Sequence, residues 1–108
     1  MGHEFIESSV FSAYVADYLD DDDYAALQAY LSEQPDAGDL VRGSGGVRKV
    51  RWARPGGGKS GGVRVCYYVR TRAGQILMLV IYAKNVRASI PGHVLAQLRE
   101  ELEHGQAD

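Results

Sequence analysis

The sequence predicts one α+β domain: an N-terminal helical hairpin, a small antiparallel sheet and a short C-terminal helix. Three observations predict it. Apolar residues recur at spacings of three and four as far as Gly38, at a spacing of two between Val47 and Ala83, and at helical spacing again from Leu95. Glycine clusters punctuate the middle of the chain, where β-branched and aromatic residues concentrate. A length of 108 residues, 45% of them hydrophobic, supports one core rather than two, so residues 1–108 form a single domain.

In chain order, Glu4 to Glu7 reads as a short strand. Ser8 or Ser9 then caps a helix whose apolar stripe is Phe11, Val15 and Tyr18, with Tyr14 and Leu19 on its flanks. A second helix opens at Asp20–Asp23, continues through Tyr24, Leu27 and Leu31, and stops at Pro35 and Gly38. The aspartates suit a first turn, because carboxylates there oppose the helix dipole favourably. Val47 to Trp52 alternates, with Arg48, Val50 and Trp52 on one face and Val47, Lys49 and Arg51 on the other. Val63 to Arg70 sets Val63, Val65, Tyr67 and Val69 against Arg64, Cys66, Tyr68 and Arg70. Ile76 to Ala83 is apolar on both faces, as a central strand would be. The glycine turns between these strands favour a meander. The last helix starts near Ser89 to Pro91, carries Leu95, Leu98 and Leu102 on one side, and frays at Gly105 to Asp108.

Charge is segregated along the chain. Arg42 to Arg87 holds eleven of the twelve Lys and Arg residues and no Asp or Glu, whereas the first 41 residues hold ten acids and no base. The formal net charge of −2 hides this polarity. Surface strands that carry lysine only for solubility have acids interspersed, so an acid-free run of this length calls for an anionic partner. On a sheet, Lys49 and Arg51, or Arg64, Tyr68 and Arg70, are close enough to converge on one polyanion. Trp52, Tyr67, Tyr68 and Tyr82 add rings on which unstacked bases could lie, although a domain of this size also needs several of them in its core.

Other chemistries find less support. Ala53 to Ser60, with Gly56-Gly57-Gly58-Lys59-Ser60, fits a relaxed phosphate-binding loop, but the strand-like Gly61 to Val65 follows where a helix is required. It reads as a basic hairpin tip. Cys66, His3, His93 and His104 are scattered without paired ligand spacing, so neither metal nor cofactor is expected. His93 alone could approach a site, from the start of the last helix. The lone Cys66 sits in an apolar run and reads as a buried thiol in a reducing compartment. Met1 to Phe5 lacks the charged start and apolar centre of a signal peptide, and the longest apolar run is too short to span a bilayer. The expectation is a cytoplasmic protein without membrane contact.

Taken in order, several runs of residues resemble a known family. They are Phe5-Ile6-Glu7, Leu27 to Leu31, Pro35 to Asp39, Gly45-Gly46-Val47-Arg48-Lys49-Val50-Arg51-Trp52, Gly58 to Val65 with Tyr67-Tyr68, and Ile81-Tyr82-Ala83-Lys84-Asn85. The chain resembles the RelE superfamily of bacterial toxins along nearly its whole length, most closely the HigB type. The resemblance implies a RelE-like, microbial-ribonuclease-like fold. It also implies a toxin that cleaves mRNA in the ribosomal A site without metal and is held inactive by a cognate antitoxin, a helix-turn-helix DNA-binding protein. The family's working cations fall on Lys49, Arg51 and Arg64. The chain departs from the best-known members in carrying Asn85 after Lys84 and no tyrosine beyond Tyr82.

Such chemistry uses the RNA's own 2′-hydroxyl as nucleophile and leaves a cyclic phosphate and a 5′-hydroxyl. Lys49 is read as the base, with its ammonium form disfavoured by neighbouring Arg48, Arg51 and Arg64. Arg51 and Arg64 stabilise the phosphoryl charge, and Tyr82 or Lys84 serves as acid or positioning group. Arg42, Arg48, Arg54, Lys59 and Arg70 are assigned to grip backbone phosphates. Two other functions fit the same fold or charge: a gyrase-poisoning toxin, against which the basic constellation argues, and a noncatalytic RNA-binding module.

Overall fold

Ser8 sets the direction of the N-terminal half. Its extended backbone ends β1 (Glu4–Glu7), and its hydroxyl accepts the Phe11 N–H at 3.0 Å to open α1 (Ser9–Tyr18). Asp20 repeats the device for α2 (Asp21–Glu33), accepting the Asp23 N–H at 2.8 Å, and Asp21, Asp22 and Asp23 fill the first turn as the dipole favours. The computed structural model describes residues 2–53, 62–85 and 89–107. After α2 come β2 (Asp39–Leu40), β3 (Arg48–Trp52), β4 (Val63–Arg70), a 3₁₀ turn (Thr71–Ala73), β5 (Gln75–Ala83) and α3 (Gly92–Ala107). Gly74, at φ +65°, closes the β4–β5 hairpin in a conformation other residues rarely adopt.

The strand order is β1-β5-β4-β3-β2. β2, β3, β4 and β5 run antiparallel as the meander reading expected, but β1 lies parallel to β5, so the sheet is mixed. β5, between β1 and β4, is buried on both faces because helices cover both. On one face α1 and α2 pack Phe11, Leu27 and Leu31 against Val50, Val65, Tyr67 and Met78. On the other, Leu95 of α3 meets Val47, Cys66, Leu77 and Leu79.

Two further departures from the sequence reading concern the edge and the end. β2 is an additional two-residue strand. α3, expected to be short and to fray at Gly105, is the longest helix of the described residues and continues through it. Polar ties reinforce its second half: Arg99 Nη1 meets Glu103 at 2.7 Å, Gln97 donates to Glu101 at 3.2 Å, and Arg70 of β4 lies 3.5 Å from Glu103. Gly92 lets the start of α3 seat on the β2–β3 connection, since a Cβ there would collide with the Arg42 carbonyl.

Tyr67 anchors the segment that leads into β2. It is fully buried, and its hydroxyl accepts the Gly38 N–H at 2.9 Å while donating to the Pro35 carbonyl at 2.8 Å. Tyr67→Phe leaves both main-chain groups without that partner and is expected to cost ~1–3 kcal/mol in urea denaturation. A loss below a few tenths would show that the segment is held some other way.

Candidate nucleic-acid interface

The strand register turns three separate cations into one group. Arg51 of β3 is the direct cross-strand partner of Arg64 of β4, whose partner on β5 is Tyr82. One step along the sheet on the same face, Lys49 is opposite Cys66, which is opposite Val80. Cross-strand partners stand about 5 Å apart and same-face neighbours along a strand about 7 Å. Lys49, Arg51 and Arg64 therefore occupy one small area, Arg51 exposed and the other two half-buried. Like charges directly opposite one another oppose sheet formation by up to about 1 kcal/mol, an arrangement that a bound anion reverses.

This area is the half of the α3-side face near the β3–β4 turn. At the other end of β4 the same face carries Tyr68 and Arg70, and α3 engages both. The Arg99 guanidinium lies 4.8 Å from the centre of the Tyr68 ring. Arg70 pairs with Glu103 and donates from Nη1 to Gln75 Oε1 at 3.1 Å. Arg70, expected to grip phosphate, is thus committed to the α3 contact.

Arg48 is the other cation that the structure separates from the group. It lies on the helical-hairpin face, where its Nη1 donates to the carbonyls of Gly38 at 2.7 Å and Asp36 at 3.3 Å. The half-buried Arg48 steadies the turn into β2 and shares no face with Lys49, because a period of two separates neighbours. Arg42 is exposed on the β2–β3 connection, and Lys84 is exposed just past β5. Tyr82 is 5% exposed and packs in the α3-side core beside Arg64. Arg54, Lys59 and the glycine-lysine run around them lie outside the described residues. His93 is exposed in the first turn of α3.

The aromatic residues read as base platforms serve the core instead. Trp52 faces the helical hairpin with its ring 5.5 Å from that of Tyr30, Tyr67 and Tyr82 are buried, and Tyr68 is under Arg99. Asp39 is the residue that sequence reasoning missed. It sits directly across from Lys49 on β2 and brings one exposed carboxylate to the border of the cationic group. The aspartates Asp20 to Asp23 remain at the start of α2.

Cys66 is fully buried directly across the strand boundary from Lys49. Burial pushes its thiol from the ordinary value near 9 up to about 11, with Lys49 pulling weakly the other way. Because the folded value lies above the unfolded one, the thiol favours the native state fully below pH 9, and that contribution is lost as pH rises towards 11. At pH 8 a water-soluble disulfide reagent is expected to label Cys66 only at the rate of unfolding. Labelling as fast as a free thiol would place Cys66 at the surface.

No family model matches the chain. Among solved structures, a free-state E. coli RelE toxin carrying two arginine-to-alanine changes is similar over 96% of this chain and 97% of that one. The TM-score is 0.53 and the sequence identity 14%. At that identity the likeness is one of architecture, and the fold is RelE-like.

Proposed function

We propose that this domain is a toxin of a toxin–antitoxin pair, of the HigB type, that cleaves mRNA on the ribosome by 2′-hydroxyl attack. The observation that carries the reading is the cross-strand pair Arg51 and Arg64 with Lys49 beside it on one sheet face. The RelE-like fold, shared with a solved bacterial toxin, supports it. Two guanidinium forks hold a phosphodiester as its charge grows, and Lys49 takes the 2′-hydroxyl proton. The exposed Lys84 is better placed than the buried Tyr82 to protonate the leaving 5′-oxygen, and Tyr82 positions Arg64. The partners on this reading are ribosome-bound message and a helix-turn-helix antitoxin, in the cytoplasm. Among the described residues no helix is long and apolar enough to cross a membrane.

Inducing the protein alone and mapping transcript ends by primer extension tests the reading. Cleaved message with 2′,3′-cyclic phosphate ends is expected. Intact message that copurifies with the protein would make it a noncatalytic RNA-binding module. Intact message with inhibited gyrase supercoiling would make it a gyrase poison.

A further inference from the structure

Val80, Ile81 and Tyr82 are consecutive in β5 and alternate between the faces of the sheet, Val80 and Tyr82 packing on the α3 side and Ile81 on the hairpin side. All three line one cavity of about 500 Å³. A cavity that reaches both faces of a strand opens on its edge. The register shows where that edge comes from. β1 pairs with Gln75–Met78, and Ser8 then takes the next two carbonyls, its N–H donating to Met78 at 2.9 Å and its hydroxyl to Leu79 at 2.7 Å. Beyond this point β5 pairs with β4 on one side, and among the described residues no strand pairs with Val80 and Ile81 on the other. In an antiparallel ladder alternate residues turn their N–H and C=O away from the partner strand, so alternate main-chain groups of β5 turn to this edge, where among the described residues no strand meets them.

The walls are apolar, and two carboxylates stand close to them in α1 and α3. Val10 and Tyr14 of α1 face Val94 and Leu98 of α3 across the edge. Of the four exposed large apolar side chains among the described residues, three (Val10, Tyr14 and Val94) stand here, so the exposure is concentrated rather than scattered. Asp17 is exposed one turn beyond Tyr14, and Glu101 lines an adjoining cleft that shares Val10 and Leu98. α1 carries no Lys or Arg, and the one Arg of α3, Arg99, is turned to Glu103.

We propose that this edge of β5 docks an extended peptide segment of another protein, which continues the line of β1 and carries Lys or Arg at its flanks. Alternate apolar side chains pack against α1 on one face and α3 on the other, main-chain groups bond to β5, and the flanking cations meet Asp17 and Glu101. A docked helix would leave the edge N–H and C=O groups unmet. A second copy of this chain would set its own Asp17 and Glu101 against the same two carboxylates.

The test is a displayed library of random peptides panned on the full chain, with calorimetry of the peptides it yields. Selected sequences are expected to alternate apolar and polar residues between basic flanks. Tyr14→Glu and Val94→Asp, both at exposed positions, should each weaken binding about tenfold or more. N-methylation of alternate peptide residues should abolish binding in one phase and spare it in the other. Selected sequences with helical spacing, equal loss in both methylation phases, indifference to Tyr14 and Val94, or no selected sequence at all would overturn the proposal. So would a dimer in ultracentrifugation that the same substitutions dissolve, because the edge would then belong to a second copy. None of these readouts depends on RNA cleavage.

Discussion

Arg64→Ala is expected to lower the single-turnover rate of message cleavage on programmed ribosomes by about a hundredfold or more. Arg64 stands in the middle of its row, with Arg51 across one strand boundary and Tyr82 across the other. On the proposed reading it is the residue whose guanidinium fork would meet a phosphate flanked by both Lys49 and Arg51. Arg64→Lys keeps the charge and loses the fork, so it should recover only part of the rate. Weaker RNA contact should also show as a salt dependence shallower by about one unit of slope. Half-buried side chains at a sheet surface contribute little to stability, and the melting temperature should move by no more than a few degrees. A variant that melts normally and cleaves at the wild-type rate would remove Arg64 from the chemistry, and with it the observation on which the proposed function stands.

The parts of this site that were legible in the sequence are those that strict alternation encodes. In Val47 to Trp52 and Val63 to Arg70 a period of two decides which side chains share a face, and Lys49, Arg51 and Arg64 do end on one face. Alternation does not encode register, so only the fold shows that Arg51 is opposite Arg64 and that Asp39 is opposite Lys49. β2 has two residues, too few to carry a pattern, and Asp39 read as one more member of an acidic segment. Charge alone groups Arg48 with its neighbours, whereas its place is decided by the Asp36 and Gly38 carbonyls that the turn before β2 leaves available. The parallel pairing of β1 with β5 joins residues about seventy positions apart and has no local signature. α3 extends past Gly105 despite that residue's low helix propensity, and the ion pair that ties its last turns to the sheet, Arg70 of β4 with Glu103, joins residues too far apart in sequence to leave a local signature.

Phe11→Ala is expected to produce the largest loss of stability of any single truncation on the hairpin side, about 3–5 kcal/mol. Phe11 is fully buried, its ring is 5.7 Å from that of Tyr24, and it belongs to the cluster that fixes both helices of the hairpin to β4 and β5. Removing it strips α1 of its one fully buried side chain, and α1 is tied to β5 besides through Ser8. Domains of this kind are stable by roughly 5–15 kcal/mol in total, so the variant should unfold partly at physiological temperature. Phe11→Leu fills most of the volume and should cost less than half as much. The cationic group lies on the opposite face of the sheet from Phe11. Cleavage per folded molecule, measured at a temperature where Phe11→Ala is still native, should therefore match the wild type. A cost near 1 kcal/mol would mean that the hairpin is not seated through Phe11. A defect in cleavage by fully folded Phe11→Ala would mean that the two faces of the sheet are coupled, and that the geometry of Arg51 and Arg64 depends on the helices beneath them.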